Sequence, residues 1–215
     1  IMMEQEGQFD HHGLYEGNVH VPLIWFGPTM LPRGTRVSGF TQQFDVAPTI
    51  LELAGIRDTE RMEGLSLVPR LFGVRDANYD ELYLSEATWE LKRGIRTSRW
   101  KLIDSLAPDF HGRPMQELFD LENDPTEQRN LASARPEVVA ELKTSLDTYV
   151  ARRLQETGRA VDPIVEQGVA GTKIGIPKDE GVGRDWVPRR KSRAGRAAAI
   201  PSPDDRNPPA KGAVQ

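Results

Sequence analysis

Cysteine is absent from the 215 residues, which excludes disulfides, thiolate metal sites and a cysteine nucleophile within this sequence. No window approaches the roughly 18 uninterrupted apolar residues of a bilayer-spanning helix. The opening residues Ile1-Met2-Met3-Glu4-Gln5-Glu6 carry neither the basic stretch nor the apolar core of a secretory signal. Position 1 is Ile rather than Met, and the expectation is a chain that starts partway into a larger protein. No internal repeat is evident. Gly171-Thr172-Lys173-Ile174-Gly175 lacks the spacing of a phosphate-cradling loop. Ser38, His20 and Asp45 form a hydrolase triad only on paper, because no Gly-x-Ser-x-Gly elbow supports it.

What is present divides unevenly. The formal net charge is −4, but residues 1–157 carry −8 and residues 158–215 carry +4. Gly and Pro together supply 15 of the last 58 positions, the level at which unperiodic Gly/Pro content implies disorder. A boundary is therefore expected near Thr157, followed by a solvated tail. Its basic cluster Arg189-Arg190-Lys191-Ser192-Arg193 has only Trp186 as an aromatic neighbour. Without interleaved aromatics it does not read as a specific nucleic-acid binder.

In front of that boundary, Val21-Pro22-Leu23-Ile24-Trp25-Phe26 is a short apolar run closed by Gly27-Pro28, the pattern of a strand buried on both faces. The run from Asp45 to Gly55 reads as a helix, with Asp45 as N-cap, Pro48 in the first turn and Val46, Ile50 and Leu53 as its buried stripe. From Glu81 the period shortens. Runs at 82–86, 94–96, 100–103 and 117–121 are separated by turn residues and predict a small antiparallel sheet. Residues 136–154 predict a long helix covering it, with Val138, Leu142, Leu146 and Tyr149 or Val150 on the buried face.

The densest polar stretch is Gln8-Phe9-Asp10-His11-His12-Gly13-Leu14-Tyr15-Glu16-Gly17-Asn18-Val19-His20, which holds all the histidines except His111. A metal reading recruits His11 or His12 with His20 and a carboxylate from Asp10 or Glu16, since imidazole and carboxylate suit zinc or a hard divalent ion. Structural or capping histidines are the plainer reading. A third is contact with a sulfate or phosphate oxygen by a charged imidazole.

Tyr15-Glu16 with His20-Val21-Pro22-Leu23-Ile24, then Phe44-Asp45-Val46-Ala47-Pro48-Thr49, then Met62-Glu63-Gly64, Ile95-Arg96, Trp100-Lys101-Leu102-Ile103, and Glu117-Leu118-Phe119-Asp120-Leu121 with Asn123-Asp124-Pro125 and Asn130-Leu131 occur in that order. Together they resemble the C-terminal part of the sulfatase family of the alkaline-phosphatase superfamily. The resemblance implies an α/β chain: the C-terminal piece of the catalytic α/β sandwich over 1–75, a small antiparallel subdomain with its long helix over 76–157, and the tail over 158–215. It implies hydrolysis of sulfate esters of a small molecule or carbohydrate, by a formylglycine made in a Cys/Ser-x-Pro-x-Arg motif with the help of calcium. Neither that motif nor the calcium ligands are in this sequence. The isolated chain is thus expected to be inactive, and association with a separate N-terminal part is an expectation as well. Counting back from Tyr15, the position where family members often carry a sulfate-contacting Lys is His11, and His12 is the competing choice. Many members of the family are exported, so a periplasmic or extracellular setting is compatible with the resemblance and not fixed by it. The alternatives are a phosphodiesterase or phosphonate monoester hydrolase of the same superfamily, and a non-catalytic interaction module.

Overall fold

The structure, a computed structural model, describes residues 12–56, 62–108 and 111–168. All of these belong to the unit Ile1–Arg184. Its centre is a four-stranded antiparallel sheet, β1 (Glu81–Glu86), β2 (Lys92–Thr97), β3 (Trp100–Ser105) and β4 (Gln116–Asp120), in the order β1-β2-β3-β4. Each strand turns directly into its neighbour, as short antiparallel connections allow. Before the sheet come α1 (Glu16–Val19), α2 (Val46–Leu53) and α3 (Val68–Leu71), and after it α4 (Pro136–Thr157) and α5 (Pro163–Gln167). No helix among the described residues is long and apolar enough to cross a membrane.

The pairings Tyr83↔Ile95, Ile95↔Leu102 and Leu102↔Leu118 line one face with apolar side chains, because alternate residues of a strand point to opposite sides. This face packs on Val139, Leu142 and Leu146 of α4, residues spaced to share one side of a helix. Tyr83 and Tyr149 stack with ring centroids 3.7 Å apart. Pro136 opens α4 where no backbone donor is required, and Gly158 closes it with φ of 65°, the left-handed conformation that glycine adopts without strain. The predicted sheet and covering helix are thus present, with Val139 in place of Val138 as the buried residue of the first turn.

The other face is not solvent. Lys92, Lys101, Ile103, Glu117 and Phe119 point to it and are all buried. Leu14 and Tyr15 lie across it, forming a second core with Ile103, Phe119 and Leu121. Gly94 makes room for them, since a Cβ there would stand 3.2 Å from Leu14 Cδ1.

Two expectations need correction. Residues 21–26 form no strand, and Ile24 and Phe26 are 86% and 89% exposed. A buried strand requires ladder partners on both sides, and none of the described strands pairs with this run. In α2 the buried residues are Pro48 and Thr49, whereas Ile50 is exposed. The helix is held by polar ties instead. Leu67 N donates to Thr49 Oγ1 at 2.8 Å. The Asp45 carboxylate accepts from Gln42 N at 2.8 Å, Leu65 N at 2.9 Å and the Tyr79 hydroxyl. Asp45 therefore closes the turn that precedes α2 and pins the 65–67 loop, rather than bonding to the first turn of α2.

Residues 158–168 contribute α5, whose N-cap Asp162 accepts from Ile164 N at 3.0 Å and pairs with Arg93 of β2. The rest of the expected tail, 169–215 with its basic cluster, lies outside the described residues.

Gly64 sits against the turn that starts α2, where an added Cβ would overlap the Phe44 carbonyl and stand 2.9 Å from Asp45 N. Because backbone rather than a flexible side chain occupies that space, Gly64→Ala is expected to destabilise by about 1–3 kcal/mol. A urea denaturation midpoint unchanged from the parent would refute this packing.

Candidate functional site

Residues 12–20 form a strap across the second face of the sheet. Its anchor is Tyr15, 1% exposed, whose hydroxyl donates to both Glu117 carboxylate oxygens at 2.9 and 3.0 Å. The ring meets Phe119 edge-on at 6.1 Å, and the Arg113 guanidinium lies 5.8 Å from its centroid. Burial first, and then the Glu117 charge, push the phenol well above its ordinary value. The hydroxyl thus stays a donor throughout the accessible pH range.

Glu16 carries the second tie. Its carboxylate takes Lys101 Nζ at 2.9 Å and Arg96 Nε at 3.3 Å. Lys101, 0% exposed, also meets Glu127 Oε1 at 3.0 Å, and Glu127 Oε2 accepts the backbone N–H of Glu16 at 2.5 Å. One buried ammonium is therefore shared by two carboxylates from opposite ends of the domain. Burial raises the Glu16 carboxyl, but Lys101 and Arg96 outweigh it and leave the group below its ordinary value. At Glu127 burial wins, and the carboxyl sits above the ordinary value despite Lys101. Glu127 is the one non-glycine among the described residues with positive φ, at 57°. The cost of that conformation is offset by the contacts its side chain makes.

Beside these ties lies a histidine cluster. His12 Nε2 and His111 Nε2 are 3.0 Å apart, with rings stacked at 5.2 Å. Trp89 lies 6.4 Å from His12. Glu90, 2% exposed, forms an ion pair with Lys92 through Oε2 at 2.9 Å and faces His111 Nε2 through Oε1 at 3.8 Å. The Asn18 side chain donates to His12 O at 2.6 Å. His12 is thus brought to Glu90 and His111, and not to His20. His20 is 80% exposed in its side chain and stands 3.5 Å from Glu16. Ser38 offers its carbonyl to Arg70, and the Asp45 carboxylate is taken by Gln42 N, Leu65 N and the Tyr79 hydroxyl, so the paper triad is not assembled. Asp10 and His11 lie outside the described residues. Glu90 and His111 escape sequence reasoning because they come from two turns of the sheet, with no spacing motif linking them to His12. The two nitrogens and one oxygen of this cluster do not fit calcium, which takes six to eight oxygens.

A family described as "N-sulphoglucosamine sulphohydrolase, C-terminal" matches residues 4–152. The chain belongs to this family and is a C-terminal sulfatase portion, α/β in class, with the four-stranded antiparallel sheet and its helices as the described core. Arylsulfatase K of Xenopus laevis is 30% identical over 159 residues, covering 66% of this chain and 28% of the relative. Delta 4,5-hexuronate-2-O-sulfatase of Bacteroides thetaiotaomicron is 28% identical over 191 residues, covering 84% and 38%. Choline-sulfatase of Rhizobium meliloti is 34% identical over 135 residues, covering 61% and 25%. Among solved structures, a 2-O GAG sulfatase matches 55% of this chain and 26% of that one, at 29% identity and a TM-score of 0.42. The chain spans little more than a quarter of the length of the arylsulfatase K relative it matches.

Removing Lys101 leaves Glu16 and Glu127 without their shared cation. Lys101→Met is expected to cost about 3–5 kcal/mol at neutral pH. In the parent, the stability contributed by Glu16 is present above its ordinary value of 4.5 and lost as pH falls through the lower folded value. The variant lacks that contribution and keeps both carboxyls easier to protonate, so its deficit should narrow below about pH 4.5. Urea unfolding at neutral pH and near pH 4 checks this. A deficit that grows on acidification would show that Lys101 is not the cation both carboxylates depend on.

Proposed function

We propose that this chain is the C-terminal portion of a sulfatase that hydrolyses the sulfate ester of a sulfated small molecule or carbohydrate, and that it carries out no turnover alone. The observation that carries the reading is the strap. Tyr15 and Glu16, the pair that the resemblance sets next to the sulfate contact, are fixed to the sheet by Glu117, Lys101 and Arg96. His12 is buried against His111, which favours His11 over His12 as the sulfate contact. A charged imidazole there donates a charge-assisted hydrogen bond to a sulfate oxygen, stronger than a neutral one. The similarity to a hexuronate-2-O-sulfatase supports a sulfated carbohydrate as substrate class.

The division of labour rests on composition and exposure. The sequence has no Cys and no Ser within Ser-x-Pro-x-Arg, so the nucleophile comes from elsewhere, and calcium is held by residues that this chain does not supply. Val21, Ile24, Phe26 and Met30 present apolar surface to solvent. That surface supports a reading in which residues 1–75 complete a larger catalytic layer and 76–157 form the subdomain beside it. Named relatives that are sulfatases give the phosphodiesterase alternative no support.

The test has two arms. The 215-residue chain is expected to release no sulfate from an aryl sulfate above a chelated control, and turnover by the chain alone would overturn the division of labour. The product of the reading frame extended upstream is expected to contain Cys/Ser-x-Pro-x-Arg and to hydrolyse the aryl sulfate. In that protein, His11→Ala should lower kcat/KM by roughly 10- to 100-fold, the loss of one charge-assisted contact to the reacting group. An extended frame without the motif, or a His11→Ala variant as active as the parent, would sink the reading.

A further inference from the structure

We propose that His12, Glu90 and His111 hold a divalent transition-metal ion of the zinc class. The inference stands on the geometry of the cluster and does not depend on the sulfatase reading. Three segments converge: the strap before α1, the turn between β1 and β2, and the loop between β3 and β4. One donor atom from each residue lies within 4.8 Å of the other two. Two imidazole nitrogens bound at about 2.0–2.1 Å to a common ion are separated by about 2.9 Å at a right angle and about 3.3 Å at the tetrahedral angle. The observed Nε2 to Nε2 separation of 3.0 Å falls inside that window, so the rings already have the spacing of two ligands.

The surroundings are built for it. His12 and Glu90 are buried, and the backbone of His12 is fixed by Asn18. Lys92 occupies Glu90 Oε2 at 2.9 Å, and Oε1 is the oxygen that faces His111. Such outer partners orient metal-binding carboxylates and imidazoles. Lys92 also neutralises part of the carboxylate charge, which weakens affinity for a hard dication and favours an ion that gains from imidazole nitrogen. His111 stands at the rim, its side chain 25% exposed, and gives an entry path with room for a fourth ligand from solvent. In the metal-free cluster one Nε2 carries the proton of the hydrogen bond between the rings. Coordination through both Nε2 atoms requires that proton to leave Nε2, to Nδ1 of the same ring or to solvent.

The full 215-residue chain, stripped with a chelator and dialysed, is titrated with zinc by calorimetry and with cobalt(II) by visible absorption. One equivalent of each is expected to bind, with a cobalt spectrum of low-symmetry nitrogen and oxygen coordination and a melting temperature that rises with zinc. His111→Ala and Glu90→Gln should each weaken binding about 100-fold or more. His11→Ala and His20→Ala should leave it unchanged, and calcium should not compete. His111 lies at the rim, so His111→Ala keeps the test valid if His12→Ala fails to fold, with far-UV circular dichroism as the check. The proposal is overturned if no zinc binds, if His111→Ala binds it as tightly as the parent, if His11→Ala or His20→Ala abolishes binding, or if calcium displaces it.

Discussion

A lysine ammonium with no exposure to water must find its charge partners inside the protein, and Lys101 organises this domain around that requirement. Desolvating such an ion costs several kcal/mol, and only close, well-placed counter-charges offset it. Here the counter-charges are Glu16 at 2.9 Å and Glu127 at 3.0 Å. The first belongs to the strap, and the second to the turn that follows β4. Neither segment has an apolar stripe strong enough to fix its position alone. Lys101 supplies the constraint, and the apolar side chains of Leu14 and Tyr15 then fill the space that the constraint defines.

The same geometry explains which parts of the fold could be read from sequence. The sheet and α4 were legible because their signals are local: alternating apolar residues in short runs, and a helical stripe bounded by Pro136 and Gly158. The second face of the sheet was not. Arg96, Lys101 and Glu117 each stand next to an apolar residue that points to the opposite face, which is the pattern of a face turned to water. Only the distant strap, some 85 positions before Lys101 in the case of Glu16, shows that these charges are paired and covered. The His12 cluster was half legible for the same reason. His12 stood out in a polar stretch, whereas Glu90 and His111 take their meaning from which two turns the antiparallel order places beside it.

The strand expected over 21–26 failed for a different reason. Its composition is that of a buried strand, but composition names a preference for burial and not the partner that provides it. The described residues contain no strand beside it, and Val21, Leu23, Ile24 and Phe26 face solvent. α2 behaves similarly: its apolar stripe at Ile50 is exposed, while Asp45, Thr49 and the 65–67 loop hold it by hydrogen bonds. Polar ties of this kind fix a helix in place without deciding what its apolar side meets.

Four of the blocks that carry the sulfatase resemblance are far apart along the chain but meet in space. Tyr15 and Glu16 from the first touch Arg96, Lys101 and Glu117 from three later ones, and Glu127 follows the turn at Asp124-Pro125. Each is needed by another: Lys101 requires the two carboxylates, Tyr15 requires an acceptor for its buried hydroxyl, and the strained backbone at Glu127 is offset only through its side-chain bonds. A change in any one leaves a buried polar group without compensation, which costs more than the original contact contributes. Blocks coupled in this way persist or fail together. The joint occurrence of these blocks is thus one physical cluster seen along the sequence, and the strap it fixes carries His12, on which metal binding is proposed to rest.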